Sequence, residues 1–507
     1  MVFVILALLL SLFSLTIIIK CIYVYLWCPF KLESEFRRQG ISGPGYRLPF
    51  GNAPQIVKFY KDAESHPISF SHHILPMVAP QYHHWSPVYG KTFLYWFGSK
   101  PRLAIGEPEL VREVLLKTGG PFEKLDFSPL SRHLVGQGLV GLKGQKWSLH
   151  RKMINPAFHM DQVKAMVPTI VASTTNMLKE WEQVVGGNEC EIEIYKELHR
   201  LTADVISRTA FGSSYEEGKN IFKMQEEQML LVSEGLRSVY IPGFRFVPTK
   251  KNRRRWKVES DIRSALRQLI SNKGGKRENC GTLLGLMLSA NHDQGSEDQR
   301  MGLEDIVDEC KTFYFAGKDT TANLLTWAVI LLSVHREWQT KARDEVLNVC
   351  GESPVGESLN NLKIVGMILN ETLRLYPPAA LVLRQTAEDL KLGQFHLPKS
   401  TQLYLPIAAL HHDPELWGDD TDTFNPDRFS EGPSAARKHP AAFIPFGFGP
   451  RTCIGQSLAI VEAKVVLAML LGRFAFEVSP SYVHAPMLLL TVQPRYGAQV
   501  VLRRLRG

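Results

Sequence analysis

The chain contains the segment Phe446-Gly447-Phe448-Gly449-Pro450-Arg451-Thr452-Cys453-Ile454-Gly455, in which one cysteine follows an arginine by two residues. Glycine has no Cβ, so a segment this rich in glycine lets the backbone approach a large flat partner closely. A cysteine at the start of a helix lies near backbone N–H groups and the positive end of the helix dipole, which favour the thiolate over the thiol. A thiolate held in this way is the sulfur ligand that a haem iron needs. The segment therefore predicts a haem–thiolate site, and the alternative is a loop cysteine that only packs.

Composition and cysteine usage are those of a globular protein in a reducing compartment. Of 507 residues, 45% are hydrophobic and 21% are charged, which excludes a disordered or fibrous chain. The seven cysteines are odd in number and scattered, and none forms a C-x-x-C pair. This pattern argues against a disulfide framework and against a zinc ribbon.

The net charge of +9 indicates an anionic partner. The basic residues form no long tract with interleaved aromatic residues, which argues against nucleic-acid binding. An anionic membrane surface or an acidic redox partner fits better. The basic cluster at 250–257 follows an apolar segment at 240–246, so it is either a solvated face or a contact with a membrane surface.

The N-terminus predicts a membrane anchor. Val2 to Ile19 are 18 uncharged and almost wholly apolar residues, which span ~27 Å as a helix, close to the thickness of a bilayer core. Basic residues follow the apolar segment and none precedes it, so the positive-inside rule places the body of the protein in the cytosol. A cleaved signal peptide is the alternative, but a basic n-region and a small-residue cleavage site are lacking. We expect an anchor over 1–30, a linker or hinge over 31–52 and a catalytic domain over 53–507.

The body predicts a mainly α protein with minor β structure, in which small sheets accompany a helix-rich domain. One long apolar stretch from about 303 to 335 predicts a helix through the middle of the domain. From about 380 the pattern changes to short β-like pieces such as 401–405, and 487–494 with 498–502 predicts a terminal hairpin around Arg495-Tyr496-Gly497. The polar, glycine-containing segments 272–281 and 291–302 predict surface loops.

The predicted long helix contains Ala316-Gly317-Lys318-Asp319-Thr320-Thr321, although glycine, aspartate and threonine are poor residues for a helix interior. Gly317 would let a bound diatomic molecule lie against the helix. The hydroxyl of Thr320, with Asp319 beside it, would supply and relay protons. The alternative is a kinked helix whose polar side chains are merely satisfied.

Three further patterns are weak when taken alone. Glu371 and Arg374 lie at i and i+3 on a helix that ends before Pro377-Pro378. Most pairs with this spacing are surface salt bridges. Trp147 and Arg151 present an indole N–H and a guanidinium one helical turn apart, which suits an anionic group. The segment 136–141 matches G-x-G-x-x-G, but no convincing strand precedes it, which argues against dinucleotide binding.

Together these motifs resemble the cytochrome P-450 family, the haem-thiolate monooxygenases. The cysteine segment matches F-x-x-G-x-R-x-C-x-G, and the other patterns match A-G-x-D-T-T, E-x-x-R and W-x-x-x-R, so that the resemblance covers nearly the whole chain. It implies the cytochrome P-450 fold and haem b with the Cys453 thiolate as axial ligand to the iron. It further implies cofactor contacts from Trp147, Arg151, Arg384, Phe446, Gly449, Arg451 and Gly455, and a buried ion triad of Glu371, Arg374 and Arg428 that locks the loop before the cysteine.

The resemblance also implies a reaction and its partners. The reaction is hydroxylation of a small molecule with O2, catalysed through Asp319 and Thr320, and the electrons come from a separate NADPH–cytochrome reductase. Lys146, Lys152, Arg437 and Lys438 are candidate docking charges for that reductase. Location at the endoplasmic reticulum membrane as a single-pass protein follows from the anchor.

Substrate contacts are expected from the loop around 120–140, from the central helix, from 379–382 and from the turn near 488–491. The individual candidates are Phe313, Ala316, Ala379, Leu381 and Val382, and their apolar character predicts a lipophilic substrate. The segment from His411 to Gly418 is similar to plant microsomal enzymes of the clan that oxidises terpenoids, steroid hormones, cytokinins and fatty acids.

The leading alternative is a haem-thiolate isomerase or dehydratase acting on peroxides, which would need neither reductase nor Thr320. A haem sensor or an electron carrier would be expected to lack both an oxygen-activation motif and a substrate pocket, and a membrane-anchored scaffold without haem is the last alternative.

Overall fold

The computed structural model describes residues 1–65, 69–126, 128–129, 132–186, 189–273, 282–292, 301–351 and 357–505. The loops expected at 272–281 and 291–302 lie mostly outside the described residues. The helices before the central one are α1 Val2–Ile22, α2 Cys28–Arg38, α3 Ala53–Ser65, α4 Leu75–Val78, α5 Pro80–Tyr89, α6 Pro108–Leu116, α7 Arg132–Val135, α8 Gly144–Ile154, α9 Met160–Val185, α10 Ile194–Phe211, α11 Tyr215–Leu236, α12 Lys250–Lys273 and α13 Leu283–His292. They are followed by α14 Leu303–Val334, α15 Arg336–Cys350, α16 Ser358–Asn361, α17 Lys363–Leu375, α18 Ile407–His411, α19 Pro414–Trp417, α20 Pro433–Ala436 and α21 Gln456–Arg473.

The N-terminal helix matches the requirements of a membrane span. α1 continues through one wider turn at Tyr23–Trp27 into α2, and no residue of its most apolar 18-residue window is buried against the rest of the protein. The helix runs on to Arg38, so the first part of the expected linker is helical. The remainder packs against the domain, because the N–H of Leu94 in the first strand donates to the carbonyl O of Ser42 at 2.8 Å.

The central helix α14 confirms the long helix expected between 303 and 335. Its start is capped by Asp305, whose carboxylate accepts a hydrogen bond from the N–H of Gly302 at 3.2 Å. Most of its length is buried, and it packs against α10, α17 and α21. A helix buried on nearly all sides needs apolar residues around its whole circumference, which explains why its sequence shows no single apolar stripe.

Within the described residues, the strands form four small sheets. The strands are β1 Thr92–Phe97, β2 Lys100–Ile105, β3 Phe122–Lys124, β4 Cys190–Glu193, β5 Val382–Thr386, β6 Leu390–Leu392, β7 Phe395–Leu397, β8 Gln402–Leu405, β9 Phe474–Val478, β10 Pro486–Leu488, β11 Val492–Pro494 and β12 Gln499–Arg504. The largest sheet has the order β1-β2-β8-β5-β3, in which only β2 and β8 are parallel. The others are β10-β11, β4-β12-β9 and β6-β7. A helix-rich domain with small sheets is thus confirmed.

The expected terminal hairpin is wrong in its pairing. The hairpin lies inside the first segment, where β10 pairs with β11 around residues 489–491, and β12 pairs instead with β9 and β4. The glycine at 497, with φ +80°, only redirects the chain between two different sheets. The Leu489-Leu490-Thr491 turn contains neither glycine nor proline, so the sequence lacks the usual hairpin signal at the real turn.

Candidate active site

The Cys453 segment forms a tight loop ahead of α21. The N–H of Cys453 donates to the carbonyl O of Phe446 at 2.8 Å, which closes the loop, and Gly455 is the N-cap residue of α21. Gly449 has φ +74°, and a Cβ placed on it would lie 2.5 Å from the carbonyl O of Leu115 at the end of α6. Glycine is therefore required at 449 both by backbone conformation and by close approach.

Burial is the largest influence on the pKa of the Cys453 thiol. The side chain is reachable by solvent but lies deep among protein atoms, and this burial raises the pKa of its thiol. The N–H of Gly455 and the guanidinium of Arg151 act in the opposite direction and lower it. The helix start thus favours the thiolate as expected, but burial outweighs it. A coordinated metal would remove the thiol proton outright.

Four of the residues expected at the cofactor lie together beside the cysteine loop. Arg151 donates to the carbonyl O of Thr452 at 2.9 Å, and the guanidinium carbon of Arg451 lies 4.1 Å from the centre of the Trp147 ring. The Nε and Nη1 atoms of Arg451 are buried without a hydrogen-bond partner among the described residues. Arg384 on β5 donates to the hydroxyl of Thr118 at 3.1 Å and is itself buried.

Lys124 joins these cations and was missed by the sequence analysis. It lies opposite Arg384 in the β3–β5 register, and its Nζ donates to the carbonyl O of Val140 at 2.8 Å. Burial, with Arg384 and Arg451 nearby, lowers the pKa of Lys124 to about 7. Burial and neighbouring guanidinium groups also lower the pKa of Arg384 and that of Arg451, each to about 10. Cations that repel one another, with unpaired buried N–H groups among them, fit a dianionic group such as the two haem propionates.

The ion triad is assembled around Glu371. Arg374 donates to both carboxylate oxygens of Glu371 at 2.7 Å, and Nε of Arg428 lies 3.5 Å from Oε1 of Glu371. The side chains of Glu371 and Arg374 are fully buried. The remaining N–H groups of Arg374 donate to the main-chain carbonyls of His411, Thr421 and Thr423. The triad therefore fastens α17 to the chain that leads towards the cysteine loop.

His411 extends this fastening and was also missed. Its Nε2 accepts a hydrogen bond from the N–H of Ile444 at 3.0 Å, two residues before Phe446. Burial lowers the pKa of His411 to about 3, so the ring is neutral and can accept at Nε2. The sequence shows only His-His before Asp413, which carries no signal of this contact.

The α14 motif presents its hydroxyl and its carboxyl in different ways. The hydroxyl of Thr320 donates to the carbonyl O of Ala316 at 2.7 Å, one turn back along the helix. Asp319 is buried and accepts a hydrogen bond from the hydroxyl of Thr491 in the turn between β10 and β11. Burial raises the pKa of Asp319, while the Thr491 hydrogen bond lowers it. Asp319 is therefore poised to hold a proton.

Gly317 has a packing role that the sequence did not indicate, and its expected contact with a diatomic molecule stays a prediction. A Cβ on Gly317 would lie 2.6 Å from Cδ1 of Ile206 on α10, so this glycine faces a neighbouring helix. Its role is close packing of α10 against α14, because any larger side chain would push the two helices apart.

The apolar residues near the motif fall into two groups. Phe313 is buried and stacks on Phe158 with ring centroids 5.5 Å apart, and Phe158 in turn lies beside Gly455. The structure therefore puts Phe313 in the packing on the cysteine side. A separate small apolar cluster consists of Leu134, Met229, Val232, Phe315, Leu489 and Leu490. We call these six residues the roof cluster. The sequence did not single out Phe315 or the α11 residues Met229 and Val232, because apolar residues at helical spacing usually belong to the hydrophobic core.

Of the other expected substrate contacts, one lies on α14 and three lie at or just before the strand that carries Arg384. Ala316 on α14 is partly exposed, Ala379 is exposed, and Leu381 and Val382 are partly buried. The main-chain O of Pro378 accepts a hydrogen bond from the N–H of Val492, which holds this segment beside the β10–β11 turn.

Comparison with known proteins decides the family. The cytochrome P-450 family model matches residues 65–500. The chain is 47% identical to cytochrome P-450 734A1 of Arabidopsis thaliana, over 98% of this chain and 96% of that protein. It is 46% identical to cytochrome P-450 734A6 of Oryza sativa subsp. japonica, over 96% and 93%, and 44% identical to cytochrome P-450 72A397 of Kalopanax septemlobus, over 94% and 93%.

The chain belongs to the cytochrome P-450 family. The resemblance noted in its sequence is thereby confirmed, and the protein is a monooxygenase enzyme that is similar to plant relatives. Membership implies haem with a cysteine thiolate ligand, O2, a redox partner and a lipophilic substrate. A surface groove of this cytochrome P-450 is lined by Arg47, Lys58, Phe59 and His84, and none of its lining residues belongs to the cysteine loop or to α14. That groove is not the site of the chemistry.

Proposed function

We propose that this cytochrome P-450 hydroxylates a lipophilic small molecule, namely a terpenoid, a steroid hormone, another plant hormone or a fatty acid. O2 is the oxidant, and a separate NADPH–cytochrome reductase supplies the electrons. The observation that carries the proposal is the roof cluster, because Phe315 lies on α14 one helical turn from Asp319. An apolar surface next to a buried acid suits a lipophilic molecule that is oxidised in a dry site.

In this proposal, Cys453 holds haem b through its thiolate. Arg151, Arg384, Arg451 and Lys124 supply positive charge for the propionates, and Trp147 supplies its indole N–H. Phe446, Gly449 and Gly455 shape the loop that carries the thiolate. The Glu371 triad keeps that loop in register. When bound, the haem supplies the iron at which O2 is activated, and the cysteine sulfur donates electron density that favours O–O cleavage.

The chain's own residues control protons and water. Burial raises the pKa of the Asp319 carboxyl, which favours its protonated form, and Thr320 presents its Oγ1 in the wall of α14. Transfer of the proton from Asp319 by way of Thr320 delivers it inside a site from which bulk water is excluded. The roof cluster orients the substrate and keeps solvent out.

Reductase docking is proposed on the side of α8. Lys152 is exposed, whereas Lys146 is paired with Asp305 at 2.6 Å. Arg437 donates to the carbonyl O of Pro440, and Lys438 donates to that of Glu415, so both also hold the chain before the cysteine loop. We therefore assign the docking charge first to Lys152, with Lys146 second. A turnover rate that falls with rising salt, and falls further in Lys152→Glu, would support this assignment.

Membrane contact is proposed at the anchor and at the segment between α11 and α12. Phe246 is 68% exposed, and Ile241, Phe244 and Val247 are exposed beside it, ahead of the basic start of α12. This surface lies near the end of the linker that follows the anchor, because Val239 is close to Gly98 and Gly98 is close to Gly51. Aromatic and basic residues together suit an anionic bilayer surface, here that of the endoplasmic reticulum, with the domain in the cytosol.

The membrane proposal is tested by cutting the linker. With a protease site inserted between 39 and 52 and the protein in vesicles of phosphatidylcholine and phosphatidylserine, we expect the released domain to stay bound. Phe244→Asp with Phe246→Asp should release it, whereas Val184→Asp, at another exposed apolar residue, should not. A domain that leaves the vesicles in every case would refute the contact.

The function is tested by the absorption spectrum of the reduced protein under carbon monoxide. A strongly red-shifted Soret band that Cys453→Ser abolishes is the expected result. A panel containing a terpenoid, a steroid and a fatty acid is then scored by the shift of the Soret band and by hydroxylated product with reductase and NADPH. Conversion of a hydroperoxide without reductase, unchanged in Asp319→Asn, would favour the isomerase or dehydratase instead.

A further inference from the structure

We propose that Thr491 positions the carboxyl of Asp319 and thereby links a ligand bound against the roof cluster to the proton donor. The inference rests on the proposed role of Asp319. Thr491 is a positioning residue, since it acts through Asp319.

The first observation is the hydrogen-bond arrangement at Thr491. Its hydroxyl donates to Oδ2 of Asp319 and accepts from Nδ2 of Asn323, which lies 3.0 Å away. Asn323 lies one turn after Asp319 on α14, so the hydroxyl joins two successive turns of that helix. All three side chains are buried, and a hydroxyl with both of its roles used in this way has its direction fixed.

The second observation is that the turn carrying Thr491 also contributes to the roof cluster. Leu489 and Leu490 are members of the roof cluster, as is Phe315. Phe315 and Asp319 lie four residues apart on α14 and so share one helix face. One short turn therefore contacts both the apolar surface and the acid.

The third observation is that the far side of this turn is held rigidly. The N–H of Val492 donates to the carbonyl O of Pro378 at 3.1 Å, and the indole N–H of Trp327 donates to the carbonyl O of Val492 at 3.1 Å. The N–H of Leu489 donates to the carbonyl O of Thr491 at 3.3 Å, which closes the turn. With Val492 fixed, a ligand that presses on Leu489 and Leu490 moves the turn about Thr491, and the hydrogen bond transmits that movement to Asp319.

The surroundings of Asp319 contain four other titratable groups. His199 on α10 has its Nδ1 4.0 Å from Oδ1 of Asp319, and burial lowers the pKa of His199 to about 3, so the ring is neutral. Tyr195 precedes it on the same helix and stacks on its ring. Lys318 pairs with Glu226 on α11. Of these groups, none donates a hydrogen bond to the carboxyl among the described contacts, so Thr491 is the donor that orients it.

The test follows the infrared carbonyl band of protonated Asp319 in the full-length haem protein, assigned by its loss in Asp319→Asn. Removing a donor to the carboxylate favours the protonated form, so in Thr491→Val the band should persist to higher pH than in the wild type. Thr491→Ser, which restores the hydroxyl, should return the titration to that of the wild type. Thr326→Val removes a buried hydroxyl elsewhere on α14 that donates to the carbonyl O of Ala322, and it should leave the band unchanged.

The second arm uses clotrimazole as a pocket ligand, with its binding followed in the Soret band. Bound clotrimazole should shift the Asp319 band in the wild type and in Thr491→Ser, and should leave it unshifted in Thr491→Val. A band that titrates alike in the wild type and in Thr491→Val, or that ignores bound clotrimazole in the wild type, would overturn the inference. Should Thr491→Val not fold, the wild type and Thr491→Ser still decide this second arm. Hydroxylation that survives in Asp319→Asn would refute the proposed role of the acid while leaving the positioning result intact.

Discussion

Lys124 and Arg384 lie directly opposite each other on the antiparallel strands β3 and β5. Two cations at facing positions of a sheet repel each other, and burial makes the repulsion more costly. Arg451 adds a third charge. Such an arrangement destabilises the protein on its own and is stabilised by an anionic ligand, which is the basis of the first prediction.

Lys124→Met is expected to change stability in opposite directions with and without haem. The folded-state pKa of Lys124 is lowered to about 7 from its ordinary value of 10.5. The haem-free protein therefore carries an unfavourable charge below pH 7, and its stability rises as the pH increases from about 7 to 10.5. The variant should abolish this rise and stabilise the haem-free protein at pH 6, yet retain haem less well. Chemical unfolding of both forms at pH 6 and pH 9 measures the effect.

Lys117→Met is the matched control for that experiment. Lys117 is an exposed lysine whose ammonium group pairs with Glu113 at 2.7 Å. Its loss should leave both the pH dependence and haem retention unchanged. Equal behaviour of the two lysine variants would mean that Lys124 does not face the propionates.

Gly449→Ala is expected to lower the yield of haem–thiolate protein far more than Gly447→Ala. Both glycines have positive φ, +74° and +75°, so each alanine costs roughly 1–2 kcal/mol in backbone strain. At 447 the nearest neighbour of the new Cβ is the carbonyl O of Arg451 at 3.9 Å, whereas at 449 it is that of Leu115 at 2.5 Å. The difference in yield between the two variants therefore reports the cost of the close approach of residue 449 to α6. The reduced carbon monoxide spectrum measures it, and equal yields would contradict the geometry.

The cysteine loop shows how far sequence reasoning reaches. Motif spacing located Cys453, the Glu371–Arg374 pair and the long helix α14, because each depends on residues close together in the chain. Lys124 could not be found in this way, since its meaning depends on pairing with Arg384, 260 residues later, in a sheet whose register no local pattern encodes.

Gly317 and β12 illustrate two other limits. A glycine inside a helix indicates a close approach but not its partner, and here the partner is Ile206 on a neighbouring helix. Strand β12 alternates as a hairpin strand would, yet its partners β4 and β9 lie elsewhere in the chain. In both cases the local sequence pattern fits more than one structure, and a tertiary contact determines which one forms.

Gly317→Ala tests the packing role directly in a double-mutant cycle with Ile206→Ala. The new methyl group would lie 2.6 Å from Cδ1 of Ile206, so overpacking should cost about 1–3 kcal/mol. Ile206→Ala alone leaves a cavity that costs about 2–5 kcal/mol. In the double variant the alanine methyl enters that space, so the combined loss should be smaller than the sum by at least about 1 kcal/mol. Additive losses of unfolding free energy would show that the two residues do not meet.

Glu371→Gln is expected to destabilise the protein by about 3–5 kcal/mol and to weaken haem retention. The change leaves the guanidinium of Arg374, which is fully buried, without its carboxylate. Glu304→Gln is the control, because Glu304 also pairs with arginines but is 57% exposed, and such pairs contribute about 0–1 kcal/mol. Arg374 of the triad donates to the carbonyl O of His411, and the ring of His411 accepts a hydrogen bond from the N–H of Ile444. Weakening the triad should therefore release haem at denaturant concentrations below those that unfold the helices. In Glu304→Gln, haem loss and helix unfolding should occur at the same denaturant concentration. If they also coincide in Glu371→Gln, the triad contributes to global stability alone.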